Sequence, residues 1–136
     1  MLQSIDHVGI AVPDLEEAKR FYTEVLGLAI CGLEAVPSQK VVIAFLPVGE
    51  VNVELVTPTS ADSAVAKFLR EKGPGFHHIA YRVADIDAVV ERMRRLGVPL
   101  VDPRPRPGSH NRRTAFLHPD AADGVLIQLI QEPDER

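Results

Sequence analysis

Two stretches of this chain repeat one another: His7-Val8-Gly9-Ile10-Ala11-Val12-Pro13-Asp14 and His78-Ile79-Ala80-Tyr81-Arg82-Val83-Ala84-Asp85. In each, a histidine opens an apolar run and an aspartate follows seven residues later. Such a run reads as a strand, and an aspartate ahead of helical spacing reads as an N-cap. The repeat predicts two similar modules, each holding an imidazole at an equivalent place. If the modules pair about a pseudo-two-fold, both histidines face one cavity.

The rest of the chain extends the duplication. Residues 4–12 read as the first strand, ended by Pro13. Asp14 caps a helix, with Glu17 three residues on completing a capping box. Leu15, Ala18, Phe21, Tyr22, Val25 and Leu26 form its apolar stripe, and Gly27 stops it. Residues 41–46 and 51–56 read as strands around a turn at 47–50. A strand over 28–36 has a broken apolar pattern. The second half repeats the order, with a strand at 76–83 and a helix capped by Asp85. That helix has an inner face of Ile86, Val89, Met93 and Leu96 and stops at Gly97. Short strands are expected at 98–101, 113–117 and 124–130. The prediction is one domain over residues 1–136, built from modules 1–60 and 74–136. A linker at 61–73 holds a short helix with Ala64, Val65, Phe68 and Leu69, ended by Gly73-Pro74-Gly75. Residues 103–111 form a polar loop suited to the margin of a site.

Composition narrows the function classes. A net charge of −4 argues against nucleic acid as partner. No apolar run approaches membrane-spanning length, and no basic segment followed by an apolar one marks secretion. The single Cys31 excludes an intrachain disulfide and suits a reducing compartment, so a cytoplasmic location is expected.

The last strand of each half carries the next clue. Val53-Glu54-Leu55-Val56 matches Ile127-Gln128-Leu129-Ile130. Glu54 and Gln128 are polar side chains inside apolar strands, and if buried they need a partner. His7, Glu54, His78 and Gln128 together form a set of imidazole and oxygen donors suited to divalent Co, Zn, Ni or Mn. Taken singly, each has a plainer role, the histidines as hydrogen-bonded structural residues and Glu54 or Gln128 as solvent-facing groups. The fourfold match in position favours a metal site. Strand alternation sends His77 to the face opposite His78, which makes it structural or a support to the site. His118, before Pro119, reads as structural, and His110 is a weaker candidate in the polar loop.

These residues resemble the vicinal oxygen chelate (glyoxalase/bleomycin resistance/dioxygenase) superfamily, and within it most closely the methylmalonyl-CoA epimerase family. The resemblance rests on Ile5-Asp6-His7-Val8-Gly9-Ile10-Ala11-Val12, Val53-Glu54-Leu55-Val56-Thr57-Pro58 and Gly75-Phe76-His77-His78-Ile79-Ala80. It rests also on Phe116-Leu117-His118-Pro119 followed by Gly124-Val125-Leu126-Ile127. It implies an α+β fold of paired βαβββ modules, a homodimer, and a divalent metal, often cobalt, held where His7, Glu54, His78 and Gln128 stand. It also implies an acyl-CoA substrate, whose proton between two carbonyl groups is removed to an enolate and returned from the other face.

The chain departs from that family at Gln128, where a glutamate is usual, and at Ile43, where some relatives carry another. Gln128 can ligate through its carbonyl oxygen but cannot accept a proton. The expected function is therefore a metal-dependent epimerase of a malonyl-type CoA thioester with Glu54 as the catalytic base. Arg104, Arg106, Arg112 and Arg113 are candidates to meet CoA phosphates, or else form a solvated face. The rival functions are a glyoxalase-like isomerase or lyase, a dioxygenase with iron on His7, Glu54 and His78, and a non-catalytic ligand-binding resistance protein.

Overall fold

The computed structural model describes residues 1–133. The fold is α+β, with strand–helix–strand modules repeated along a mixed set of strands. The chain divides into two compact units, one of His7–His77 and the other of Met1–Asp6 with the chain from His78 onward.

The first unit contains the second half of β1 (Leu2–Ala11), together with α1 (Leu15–Arg20), β2 (Gly32–Val36), β3 (Val41–Val48), β4 (Val51–Pro58) and α2 (Ala64–Lys72). Its strands run in the order β2-β3-β4-β1, with β1 parallel to β4 and the others antiparallel. Asp14 caps α1, its side chain accepting from the Glu17 N–H at 3.1 Å. Helix α1 lies over a core of Val12, Ala44, Leu46 and Leu55, to which Leu15, Ala18 and Tyr22 contribute. Helix α2 is capped by Ser63 and ends at Gly73, whose φ of +78° suits a residue without a Cβ. Its Val65, Phe68 and Leu69 pack on a second core of Ala11, Val36, Val41, Ile43, Phe45 and Val56.

The second unit follows the same plan with β5 (Gly75–Val83), α3 (Ile86–Arg95), β6 (Arg106–Pro107), β7 (Arg113–Leu117) and β8 (Ile127–Gln131). The strands run β5-β8-β7-β6, with β5 parallel to β8. Asp85 caps α3 through the Ala88 N–H at 3.1 Å, repeating the Asp14 arrangement. Ile86, Val89 and Val90 of α3 are buried against Val83, Ala115, Leu117 and Leu129. Each such side chain contributes about 1.5–3 kcal/mol.

Several local expectations change. The stripe of α1 was expected to run through Leu26, yet Phe21, Val25 and Leu26 are exposed. The helix widens to a π turn over Phe21–Val25, which inserts an extra residue and rotates the later positions off the stripe. Leu96 is likewise exposed, because it is the C-cap of α3 rather than part of its inner face. The strand expected at 98–101 reduces to one bridge, Leu100 to Leu117. Strand β8 begins at Ile127 rather than Gly124, because Asp123 and Gly124 adopt positive φ in the preceding turn.

Candidate metal centre

Strand register reproduces the sequence duplication residue for residue around the four positions. In the first unit Gly9 of β1 pairs with Glu54 of β4, and Glu54 pairs on its other side with Phe45 of β3. In the second unit Ala80 of β5 pairs with Gln128 of β8, and Gln128 pairs with Phe116 of β7. His7 and His78 each lie two residues before the paired position. Side chains two apart on a strand share a face, and so do paired neighbours. His7 and Glu54 therefore share one face of the first unit, and His78 and Gln128 share one face of the second. In each unit this is the face away from the helix that follows the histidine.

All four side chains are buried. Nδ1 of His7 stands 2.9 Å from Oε2 of Glu54, and each residue is 1% exposed. The contact lacks the alignment of a hydrogen bond, and Oε2 accepts none. A buried carboxylate oxygen without a hydrogen-bond donor is costly, and a cation beside it would supply the missing partner. Donors at about 2.0–2.2 Å from a divalent ion are separated by about 3 Å in octahedral geometry and by about 3.4 Å in tetrahedral geometry, and the spacing found is close to the first. The residues present thus fit a divalent metal.

Asp6, the residue before His7 in β1, adds a third group of ligand type. Ligand atoms of Asp6, His7 and Glu54 all lie within 4.8 Å of one another. The Asp6 carboxylate is already neutralised, however. Its Oδ1 accepts from Arg82 Nη2 at 2.7 Å and from Arg112 Nη1 at 2.8 Å. Glu54 is the better ligand for that reason.

In the second unit, His78 meets Phe116 edge-to-face with ring centres 5.5 Å apart. Gln128 donates from Nε2 to the Thr114 hydroxyl at 2.7 Å. The other histidines have separate roles. His77 stands edge-to-face with Phe68 at 4.8 Å, and burial, with the Lys72 charge adding to it, lowers its pKa to about 4. His118 accepts at Nδ1 from the Asp120 N–H and so caps a short 3-10 turn. His110 is exposed with φ +55°.

The arginines correct one expectation. Arg112 is buried, bonded to Asp6, the Ser109 hydroxyl and Glu132, and is not free to meet a phosphate. Arg113 is paired with Asp87 and Arg106 with Asp102, while Arg104 is exposed. Sequence reasoning missed Asp6 and Thr114. Asp6 had a signal, being a charged residue beside His7 in an apolar strand.

Comparison with known proteins identifies the family of this fold. A family described as the Glyoxalase/Bleomycin resistance protein/Dioxygenase superfamily matches residues 6–116. An ethylmalonyl-CoA/methylmalonyl-CoA epimerase of Cereibacter sphaeroides is 37% identical over 134 residues, covering 96% of this chain and 99% of that protein. The crystal structure of methylmalonyl-CoA epimerase from Mycobacterium tuberculosis superposes with a TM-score of 0.92 at 39% identity, covering 98% of this chain and 91% of that one. A methylmalonyl-CoA epimerase in complex with methylmalonyl-CoA and NH4+ has a TM-score of 0.92 at 38% identity, covering 97% of this chain and 96% of that one. The chain belongs to the Glyoxalase/Bleomycin resistance protein/Dioxygenase superfamily and is closely related, in sequence and in structure, to methylmalonyl-CoA epimerase.

Proposed function

We propose that this protein is a metal-dependent epimerase of methylmalonyl-CoA or a similar acyl-CoA thioester. The observation that carries the reading is the buried His7–Glu54 pair with its unsatisfied carboxylate oxygen, in a chain so similar to an epimerase that binds methylmalonyl-CoA. His7, Glu54, His78 and Gln128 would hold the ion. The matching register of the two pairs supports that assignment. Cobalt heads the candidates by family resemblance, and imidazole with oxygen donors equally suits Zn, Ni or Mn. The same resemblance favours a homodimer, and the lone thiol of Cys31 suits the cytoplasm.

A bound divalent ion supplies positive charge that lowers the energy of the enolate form of the thioester. Glu54 accepts the proton from the carbon between the carboxylate and the thioester carbonyl. Gln128 offers a carbonyl oxygen and takes no proton. Inversion also requires a proton delivered to the opposite face, a role open to solvent.

One observation favours a second reading. A carboxylate in one module with an amide at the matching strand position of the other suits proton transfer on a single face, as in a glyoxalase-like isomerase acting on a small oxygenated substrate. Two measurements test the proposal. Protein purified without chelators should carry about one divalent ion per chain. Metal-loaded protein should invert methylmalonyl-CoA at C2, and metal content without inversion would favour the second reading.

A further inference from the structure

The two units differ at a pair of positions, and the differences are matched. In the first unit Glu54 stands two residues before Val56, whose partner across β3 is Ile43. In the second unit Gln128 stands two residues before Ile130, whose partner across β7 is Thr114. Ile43 and Thr114 are thus equivalent. The carboxylate has an apolar neighbour, and the amide has a hydroxyl.

The hydroxyl both donates and accepts. Thr114 is 1% exposed, and its Oγ1 bonds the Leu129 carbonyl at 3.1 Å. A carbonyl only accepts, so the single hydroxyl proton lies on that bond. Oγ1 is left to Gln128 as an acceptor alone, and it receives Nε2 at 2.7 Å. An amide can make that donation, and a carboxylate cannot. The planar amide places its oxygen on the branch opposite Nε2, turned away from Thr114.

We infer that Thr114 is a positioning residue: it locks the Gln128 amide in one orientation, presents Oε1 as the ligand atom, and makes position 128 an amide site rather than a carboxylate site. This rests on Gln128 meeting the metal, as in the proposed function. A glutamate at 128 must take the Thr114 proton away from Leu129 or stand against an oxygen lone pair. The proton-accepting role is thereby confined to Glu54 and its unit.

The test uses the whole protein and two variants, Thr114→Val and Thr114→Ser, with cobalt affinity measured by titration. Valine keeps the shape and removes the hydroxyl, and affinity should fall about 10–100-fold, the usual effect of losing a group that orients a ligand. Serine keeps the hydroxyl, and affinity should stay within about threefold of the unaltered protein. In a Gln128→Leu background the same valine change should leave affinity unmoved. The Gln128 side-chain amide is read independently by NMR without metal, where its two protons should be distinct and slow to exchange in the unaltered and serine proteins. In the valine variant they should exchange quickly. Unaltered cobalt affinity in Thr114→Val overturns the positioning role, as does an amide signal indifferent to the substitution. An unaltered protein that binds no divalent ion overturns the metal reading itself, and with it the ligand role given to Gln128.

Discussion

Arg112 donates from Nη1 to Oδ1 of Asp6 at 2.8 Å, and both side chains are almost wholly buried. The pair ties the loop before β7 to the residue that precedes His7. Arg82 shares the same Asp6 oxygen, and Glu132 forms ion pairs with both arginines. Two neighbouring arginines therefore have different weights. Arg112→Met leaves a buried carboxylate short of a partner and should cost about 3 kcal/mol. Arg113→Met breaks only the exposed pair with Asp87 and should cost less than about 1 kcal/mol. Urea denaturation of the two variants measures both, and equal losses would contradict the assignment.

His77 gives the fold a pH dependence. Burial holds its pKa near 4 against an ordinary 6.5. The unfolded chain therefore takes up a proton that the folded chain refuses. For this group, stability is full above about pH 6.5 and declines as pH falls towards about 4. His77→Phe keeps a ring against Phe68 and removes the titration. The urea midpoint of the variant should lose that part of the slope, and a profile parallel to the parent's would contradict the account.

Gln128→Glu restores a carboxylate to the second unit. Inversion relative to isotope exchange should rise, because both faces of the substrate then meet a proton acceptor. Metal should remain bound, since a carboxylate oxygen replaces an amide oxygen. The competition with Thr114 predicts that stability falls slightly in this variant and recovers in Gln128→Glu with Thr114→Val. Thermal denaturation checks that pairing, and an additive double variant would argue against it.

Much of this was legible because its causes are local. Asp14 and Asp85 cap their helices as the seven-residue spacing requires. The strand positions of His7, Glu54, His78 and Gln128 follow from apolar runs of fixed period. The π turn at Phe21–Val25 was not legible, since the apolar spacing fits an α-helix and the exposure of Val25 depends on what surrounds it. The fate of Arg112 was hidden because its partner, Asp6, lies 106 residues away in the chain. Thr114 was within reach. Setting the two modules side by side to β3 and β7 would have shown a hydroxyl where the other half carries Ile43.

The central claim is that Glu54 removes a proton from a malonyl-type CoA thioester. Solvent deuterium entry at C2 of methylmalonyl-CoA, measured on metal-loaded protein beside its Glu54→Gln variant, tests it most directly. The unaltered protein should incorporate deuterium, and the variant should be slower by about 100-fold or more while still holding part of its metal. Deuterium entry at the parent rate in Glu54→Gln, or none in the unaltered protein, would contradict the account.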